Sequence, residues 1–212
     1  MSETQPGLDE ILAQAPVIPV LTIADAGQAV PLARALVEGG IRVLEITLRT
    51  KAGIEAIAAI IRAVPQAVVG AGTVNSPAQY EQVKALGARF CVSPGFTGSL
   101  RAAAGQGGPP FLPGAATPSE MLALLESGYR FQKFFPAEPA GGIPMLKAIA
   151  APIREVSFCP TGGITAATAP AYLALENVVC VGGSWLVPEA ALRDGNWQAI
   201  TRLAEEAAAL RH

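Results

Sequence analysis

Eight short apolar segments, regularly spaced along the chain, constrain its fold more than any other feature. They are the runs 17–21, 43–47, 67–71, 90–92, 110–112, 131–135, 156–159 and 178–181. Strands that are apolar on both faces are typical of parallel sheets covered by helices. Helical periodicity lies between the runs, for example over 26–38, 53–63, 77–86 and 119–127. We therefore predict an α/β fold in which strands and helices alternate.

The number of these units predicts how the sheet is arranged. Eight βα units in 212 residues favour a closed (β/α)8 TIM barrel, a single domain over 1–212 with a short helix over 8–14 leading into it. An open doubly wound sheet is the alternative. That fold often carries Gly-x-Gly-x-x-Gly after its first strand, whereas here run 17–21 continues into Thr-Ile-Ala-Asp.

Charge and composition exclude several classes of function. The net charge is −2 and lysines and arginines do not cluster, so a nucleic-acid partner is not expected. The one histidine is His212, the last residue. We expect no histidine-based metal site and no Ser-His dyad, because a chain end does not hold a fixed geometry. We predict neither metal nor cofactor.

The cysteines and apolar segments indicate where the chain works. Cys91, Cys159 and Cys180 each lie in an apolar run, so we predict buried, reduced thiols and a reducing compartment. Residues 1–7 lack the pattern of a secretory signal. Segment 156–175 contains no charged residue, but Pro, Gly and Thr interrupt it, so we predict no membrane span. A cytoplasmic location is expected.

Lys133 is the most unusual charged residue of the predicted strands. It lies in Phe131-Gln-Lys-Phe-Phe135, and strand alternation places it on the same face as Phe131 and Phe135. Aromatic surroundings disfavour the cation and favour the free amine, which attacks ketones. The alternative is an outward-facing lysine whose stem lies between helices.

Glu45 interrupts another apolar strand, 43–47. Buried carboxylates are either paired or functional, and one at the mouth of a barrel can transfer protons to and from a substrate. The alternative is a structural partner for an arginine. Arg49 follows the same strand and could bind a substrate carboxylate with its planar guanidinium.

Three further positions end strands beside small residues. Thr73 lies in Gly70-Ala-Gly-Thr73, Thr161 in Cys159-Pro-Thr161, and Pro94 in the sharp exit Ser93-Pro-Gly95. Small neighbours let a ligand approach the backbone closely. Ordinary strand ends and turns explain each of them as well.

Paired glycines follow the seventh and eighth strands. Barrels often bind phosphate through the backbone N–H groups of these two loops. Here the loops contain Gly162, Gly163, Gly183 and the hydroxyl of Ser184. We predict a phosphate site; tight turns are the alternative.

An ordered set of motifs resembles the 2-keto-3-deoxy-6-phosphogluconate (KDPG) aldolase family of class I aldolases, many of whose members also accept 2-keto-4-hydroxyglutarate (KHG). The resemblance covers nearly the whole chain. Its motifs are Val17-Ile-Pro-Val20, Val43-Leu-Glu-Ile-Thr-Leu-Arg-Thr50, Gly70-Ala-Gly-Thr73, Ser93-Pro-Gly95, Phe134-Phe-Pro-Ala-Glu138, Phe158-Cys-Pro-Thr-Gly-Gly-Ile164 and Gly182-Gly-Ser-Trp-Leu186.

The resemblance implies a reversible cleavage of KDPG into pyruvate and glyceraldehyde 3-phosphate by a homotrimer. Lys133 would form the imine and Glu45 would act as acid and base. Arg49 and Thr73 would hold the carboxylate, while Thr161 is tied to stereochemistry at C4. The other implied site residues are Pro94 and Phe135 for the substrate and Gly162, Gly163, Gly183 and Ser184 for its phosphate.

Three other functions stay open at this point. The substrate could be the galactonate epimer of KDPG. A sugar phosphate isomerase or epimerase would use Glu45 for proton abstraction and Lys133 only as a charge. A barrel without catalytic activity that binds sugar phosphates is also compatible with the fold.

Overall fold

The computed structural model describes residues 7–210, so most of the segment inspected for a secretory signal, and His212, lie outside the described residues. The helices are α1 Leu8–Leu12, α2 Ala29–Glu38 after a 3-10 turn Ala26–Gln28, α3 Gly53–Ala63, α4 Pro77–Ala85, α5 Gly98–Ala104, α6 Pro118–Glu126, α7 Gly142–Ala150, α8 Ala169–Leu173, α9 Glu189–Arg193 and α10 Trp197–Ala208. The strands are β1 Val17–Leu21, β2 Val43–Thr47, β3 Val68–Gly72, β4 Phe90–Val92, β5 Phe111–Leu112, β6 Gly114–Ala115, β7 Phe131–Phe134, β8 Ser157–Pro160 and β9 Val181–Gly183.

The strands form two parallel ladders. Six strands pair in the order β5-β4-β3-β2-β1-β9, and three pair in the order β6-β7-β8. Strands β5 and β6 are consecutive in the chain and are separated only by Pro113. Single parallel bridges, Phe158 to Val178 and Thr161 to Gly182, connect β8 to the segment containing β9. The predicted α/β fold with parallel strands is confirmed.

Several predicted boundaries are wrong for local reasons. The fifth strand is split, because Pro113 has no N–H to donate to the ladder. The eighth begins at Val181 rather than at 178, since Val178 makes only an isolated bridge. The sixth ends at Phe134, one residue before the end of the predicted run. The third and seventh are shifted by one residue, and the first helix ends at Leu12.

Buried side chains form two clusters on opposite faces of the strands. The larger cluster lies between strands and helices, where α2, α3 and α10 pack. The smaller one, which we call the inner cluster, contains residues from both ladders together with helix α1. Its members are Leu8, Ile11, Leu12, Ile18, Val43, Phe90, Val92, Leu112, Cys159 and Cys180. Helix α1 therefore packs against the inner faces of the strands.

The predicted state of the cysteines is confirmed. Cys91, Cys159 and Cys180 are buried free thiols. Burial raises the pKa of Cys91 to about 12. The pKa of Cys180 is raised well above its usual range, mainly by a hydrogen bond with Cys159 and also by burial. Cys91 and Cys180 are therefore protonated at neutral pH and are not nucleophiles.

Across residues 7–210, no helix is long and apolar enough to span a lipid bilayer.

Candidate functional site

The site is built around a buried pair of opposite charges on two strands. Lys133 of β7 and Glu45 of β2 are each only 3% exposed, and the Lys133 Nζ lies 3.2 Å from Glu45 Oε1. The two residues are 88 positions apart in the chain, so tertiary folding brings them together. Glu45 is thus paired, with a lysine rather than with an arginine.

The strand alternation predicted for β7 is present in the structure. The Lys133 amine lies 5.3 Å from the centre of the Phe135 ring. Gln132 faces the other way, since its amide nitrogen donates to the carbonyl oxygens of Met121 and Tyr129. The alternative of an outward-facing lysine between helices is therefore wrong.

A glycine provides the space that Glu45 occupies. A Cβ atom added to Gly72 would lie 2.2 Å from Glu45 Oε1 and 2.7 Å from Glu45 Cγ. Gly70, two residues earlier, leaves similar space for the ring of Phe90, 2.3 Å from its own added Cβ. Glycine at every second position of β3 thus lets larger inner-facing side chains of neighbouring strands cross it.

Arg49 and Thr73 meet beside this pair, as the prediction of a shared carboxylate site requires. The Arg49 Nε donates to Thr73 Oγ1 at 3.2 Å. Thr73 has φ 59°, the left-handed region that residues other than glycine rarely adopt. Such a conformation costs about 1 kcal/mol or more and is concentrated at functional sites. In this conformation the Thr73 hydroxyl accepts the hydrogen bond from the exposed Arg49.

Thr161 lies directly after β8 and is 6% exposed. Its hydroxyl contacts Cys159 Sγ at 3.9 Å and donates to the Cys159 carbonyl at 3.4 Å. A Cβ atom on Gly182 would lie 2.2 Å from Thr161 Oγ1. The first glycine of the pair in β9 therefore provides room for Thr161.

The predicted phosphate residues divide into two groups. Gly162 and Gly163 have φ of 107° and 82°, so both adopt backbone conformations that favour glycine. Ser184 is exposed and follows β9. Gly183 is buried within β9, and its missing side chain makes room for the Trp185 ring, 1.8 Å from an added Cβ. Packing of the Trp185 ring accounts for the missing side chain at Gly183, and a role of its backbone in phosphate binding stays a prediction.

Two cavities open beside these residues. One, of about 600 Å³, includes among its lining residues Pro94, Phe96, Arg101, Gly114 and Phe135. The other, of about 360 Å³, includes Val20, Thr22, Leu32, Ser184 and Val187. Pro94 and Phe135 therefore line one cavity, while Ser184 lines the other.

Two hydroxyl groups at the carboxyl ends of β1 and β2 were missed by the sequence analysis. Thr47 is fully buried on the same face of β2 as Glu45, and its Oγ1 lies 3.1 Å from that of Thr22. The alternation Val43, Glu45, Thr47 along β2 was the available signal.

Among residues 7–210, no group of three or more His, Cys, Asp or Glu side chains could hold a metal ion. Function without a metal or cofactor stays a prediction.

Comparison with known proteins identifies the family. A family model described as KDPG and KHG aldolase matches residues 8–203. The chain belongs to the KDPG and KHG aldolase family. A curated member of this family from Dickeya dadantii (strain 3937), a 2-dehydro-3-deoxy-phosphogluconate aldolase, is 50% identical over 209 residues, 99% of this chain and 98% of the relative.

Solved structures of KDPG aldolases superpose closely on this chain. The enzyme from Legionella pneumophila, with pyruvate captured at low pH as a covalent carbinolamine intermediate, has a TM-score of 0.92 and 49% identity, covering 94% of this chain and 97% of that one. The enzyme from Zymomonas mobilis ZM4, solved with 3-phosphoglycerate, has a TM-score of 0.90 and 46% identity, covering 96% of each chain.

Proposed function

We propose that this chain is a class I aldolase that reversibly cleaves KDPG into pyruvate and glyceraldehyde 3-phosphate through an imine on Lys133. The observation that carries the proposal is the Lys133 amine, 3% exposed and 3.2 Å from the Glu45 carboxylate. An amine that is shielded from water and adjacent to a proton-transfer group is what imine formation requires.

The chemistry follows from these two side chains. The Lys133 amine in its neutral form attacks C2 of the keto acid to give a carbinolamine. Glu45 then protonates the carbinolamine hydroxyl group, which leaves as water and gives a protonated imine. The imine nitrogen then accepts the electron pair of the C3–C4 bond, which breaks, while Glu45 accepts the proton of the C4 hydroxyl. The aldehyde leaves, C3 of the neutral enamine takes the proton back from Glu45, and water adds to the resulting protonated imine to release pyruvate and the Lys133 amine.

The other predicted residues would orient the substrate around Lys133. Arg49 would bind the carboxylate, because its guanidinium presents parallel N–H donors. Thr73 lies beside it, since its Oγ1 accepts a hydrogen bond from Arg49 Nε at 3.2 Å. Thr161 would contact the C4 region from the end of β8. The remaining proposed contacts are Pro94 and Phe135 for the substrate and the Gly162, Gly163, Gly183 and Ser184 group for its phosphate.

We also propose that the strands close into the predicted (β/α)8 barrel within a single domain. Counting β5 and β6 as one interrupted strand gives eight, and the bridge from Thr161 to Gly182 joins the two ladders on the side opposite Pro113. The homotrimer implied by the family resemblance, and the cytoplasmic location expected from the cysteines and the missing secretory pattern, stay predictions. Light scattering on the purified chain would test the subunit number.

A second substrate, KHG, uses the same chemistry. The name of the matching family model includes it, and cleavage of its C3–C4 bond needs the same imine. KHG has a carboxylate where KDPG has a phosphorylated chain, so it would not depend on a phosphate site. Steady-state rates on KDPG, its galactonate epimer and KHG would rank the three substrates.

Covalent capture tests the proposed function. The protein is incubated with pyruvate, reduced with borohydride and digested with trypsin. We expect the reduced pyruvyl group only on Lys133, in a peptide that runs from Phe131 to Lys147, because modification blocks cleavage at Lys133. No adduct would contradict the aldolase and favour an isomerase or a binding protein. An adduct on another lysine would contradict the assigned residue.

Replacement of Gly72 by alanine tests the space around Glu45. The new Cβ would lie 2.2 Å from Glu45 Oε1, so Glu45 must move away from Lys133. We expect kcat for KDPG to fall by about 100-fold, as for other small misplacements of reacting groups. Gly98→Ala is the matched control, since no heavy atom lies within 4 Å of its added Cβ. An unchanged kcat in Gly72→Ala would refute the idea that catalysis requires Glu45 at this position beside Lys133.

A further inference from the structure

The turn after β7 is attached to the loop after β8. The backbone N–H of Ala137 donates to the Thr161 carbonyl at 2.8 Å, and that of Glu138 donates to the Gly162 carbonyl at 3.0 Å. A Cβ atom on Gly162 would lie only 3.3 Å from Ala137 N. The proposed imine-forming strand and the proposed phosphate loop are therefore joined through their backbones.

The side chain of Glu138 packs directly on the second glycine of this loop. A Cβ atom on Gly163 would lie 2.7 Å from Glu138 Cγ and 2.8 Å from Glu138 Cβ. Two consecutive glycines in left-handed conformations have large conformational freedom unless neighbouring atoms restrict them. Glu138 provides that restriction on one side of Gly163.

Tyr172, on helix α8 just beyond the loop, fixes Glu138 in turn. Its hydroxyl donates to Glu138 Oε1 at 2.5 Å, and the residue is fully buried. Burial, together with this hydrogen bond, raises the pKa of Tyr172, so the hydroxyl stays a donor at neutral pH. Gly142, at the start of α7, leaves room for the same hydroxyl, 3.0 Å from its added Cβ.

We propose that Glu138 and Tyr172 are positioning residues that hold the Gly162–Gly163 loop in the conformation that binds the substrate phosphate. This inference rests on the proposed function, which assigns phosphate binding to that loop. Fixing a flexible segment before the ligand arrives improves affinity because less conformational entropy is lost on binding. The pair therefore affects substrates with a phosphate and leaves substrates without one unaffected.

Removal of the Tyr172 hydroxyl tests the inference. In Tyr172→Phe we expect KM for KDPG to rise by about tenfold, the scale of one lost hydrogen bond to a charged group, with kcat within about twofold. KM for KHG and covalent capture of pyruvate should not change. Tyr80→Phe is the matched control, because Tyr80 is also fully buried and donates to the Pro109 carbonyl at 3.1 Å.

Two substitutions of Glu138 complete the test, and they stay informative if Tyr172→Phe does not fold, because Glu138 is exposed. Glu138→Ala removes the atoms that pack on Gly163 and the acceptor for Tyr172, so KM for KDPG should rise as in Tyr172→Phe. Glu138→Gln keeps both features and should restore KM toward the original value. Equal increases of KM for KDPG and KHG, or a loss of stability with no change of either KM, would overturn the proposal.

Calorimetry with inorganic phosphate separates this inference from the proposed function. Weaker phosphate binding by Tyr172→Phe and Glu138→Ala than by the unmodified chain supports positioning even if pyruvate is not captured at Lys133. Equal phosphate binding by all three, in a chain that does capture pyruvate, refutes positioning and leaves the aldolase intact.

Discussion

Lys133→Met is expected to lower kcat for KDPG cleavage by about 10⁴-fold or more, as when the nucleophile of a covalent mechanism is removed. Methionine has a similar length but no amine, so neither carbinolamine nor imine can form. The measurement is the steady-state rate of pyruvate release, together with mass spectrometry after borohydride reduction, which should find no adduct.

Lys133→Met removes both the positive charge and the nucleophilic amine, so a second variant must separate the two effects. Methionine leaves the Glu45 carboxylate, 3% exposed, without its cation, and breaking a buried pair in this way costs about 3–5 kcal/mol of unfolding free energy. Lys133→Arg retains a cation and should be equally inactive. Lys147→Met, at an exposed lysine of α7, should retain full activity. More than a hundredth of the original kcat in Lys133→Arg would contradict the imine mechanism.

Glu45→Gln is expected to lower kcat by about 100-fold or more, the usual contribution of a general acid and base. Glutamine keeps the size of the side chain and can accept a hydrogen bond from Lys133 Nζ, but it cannot exchange protons with water or with the C4 hydroxyl. The rate of pyruvate capture under borohydride should fall as well, because carbinolamine dehydration also needs proton transfer.

Glu55→Gln, an exposed glutamate in the first turn of α3, is the matched control and should leave kcat unchanged. Urea denaturation of both variants would show whether lost activity reflects lost folding. If Glu45→Gln turns over at the original rate, Glu45 is only a structural counter-ion for Lys133.

The regular alternation of apolar runs with segments of helical periodicity predicted most of the fold, because burial on both faces of a parallel strand gives a continuous apolar run. Strand ends were less predictable, since they depend on ladder hydrogen bonds rather than on hydrophobicity. Pro113 interrupts one run, and the run at 178–181 forms its ladder only from Val181 onward.

The polar residues of the site were found because a charge in an apolar strand is costly without a function or a partner. Lys133 and Glu45 met this criterion, and the structure brings them within 3.2 Å. The residues that support them did not meet it. Gly72, for example, matters only because Glu45 of the neighbouring strand lies over it, a contact that no pattern within β3 predicts.

Gly183 shows a different case, in which a predicted site residue also has a packing role. Two glycines after a strand suggested an anion site, yet Gly182 and Gly183 make room for Thr161 and for the Trp185 ring. Distinguishing an exposed N–H from a close side-chain contact requires knowing which face of β9 each residue occupies.

Helix α1 has a consequence for the order of events in catalysis. Its side chains Leu8 and Leu12 are fully buried against Ile18, Val43 and other inner residues near the amino-terminal ends of the strands. In the closed barrel proposed above, that end is blocked, so reactant and both products pass the same opening, at the carboxyl ends. The aldehyde must therefore depart while the three-carbon fragment is still tethered, before water can enter and free it.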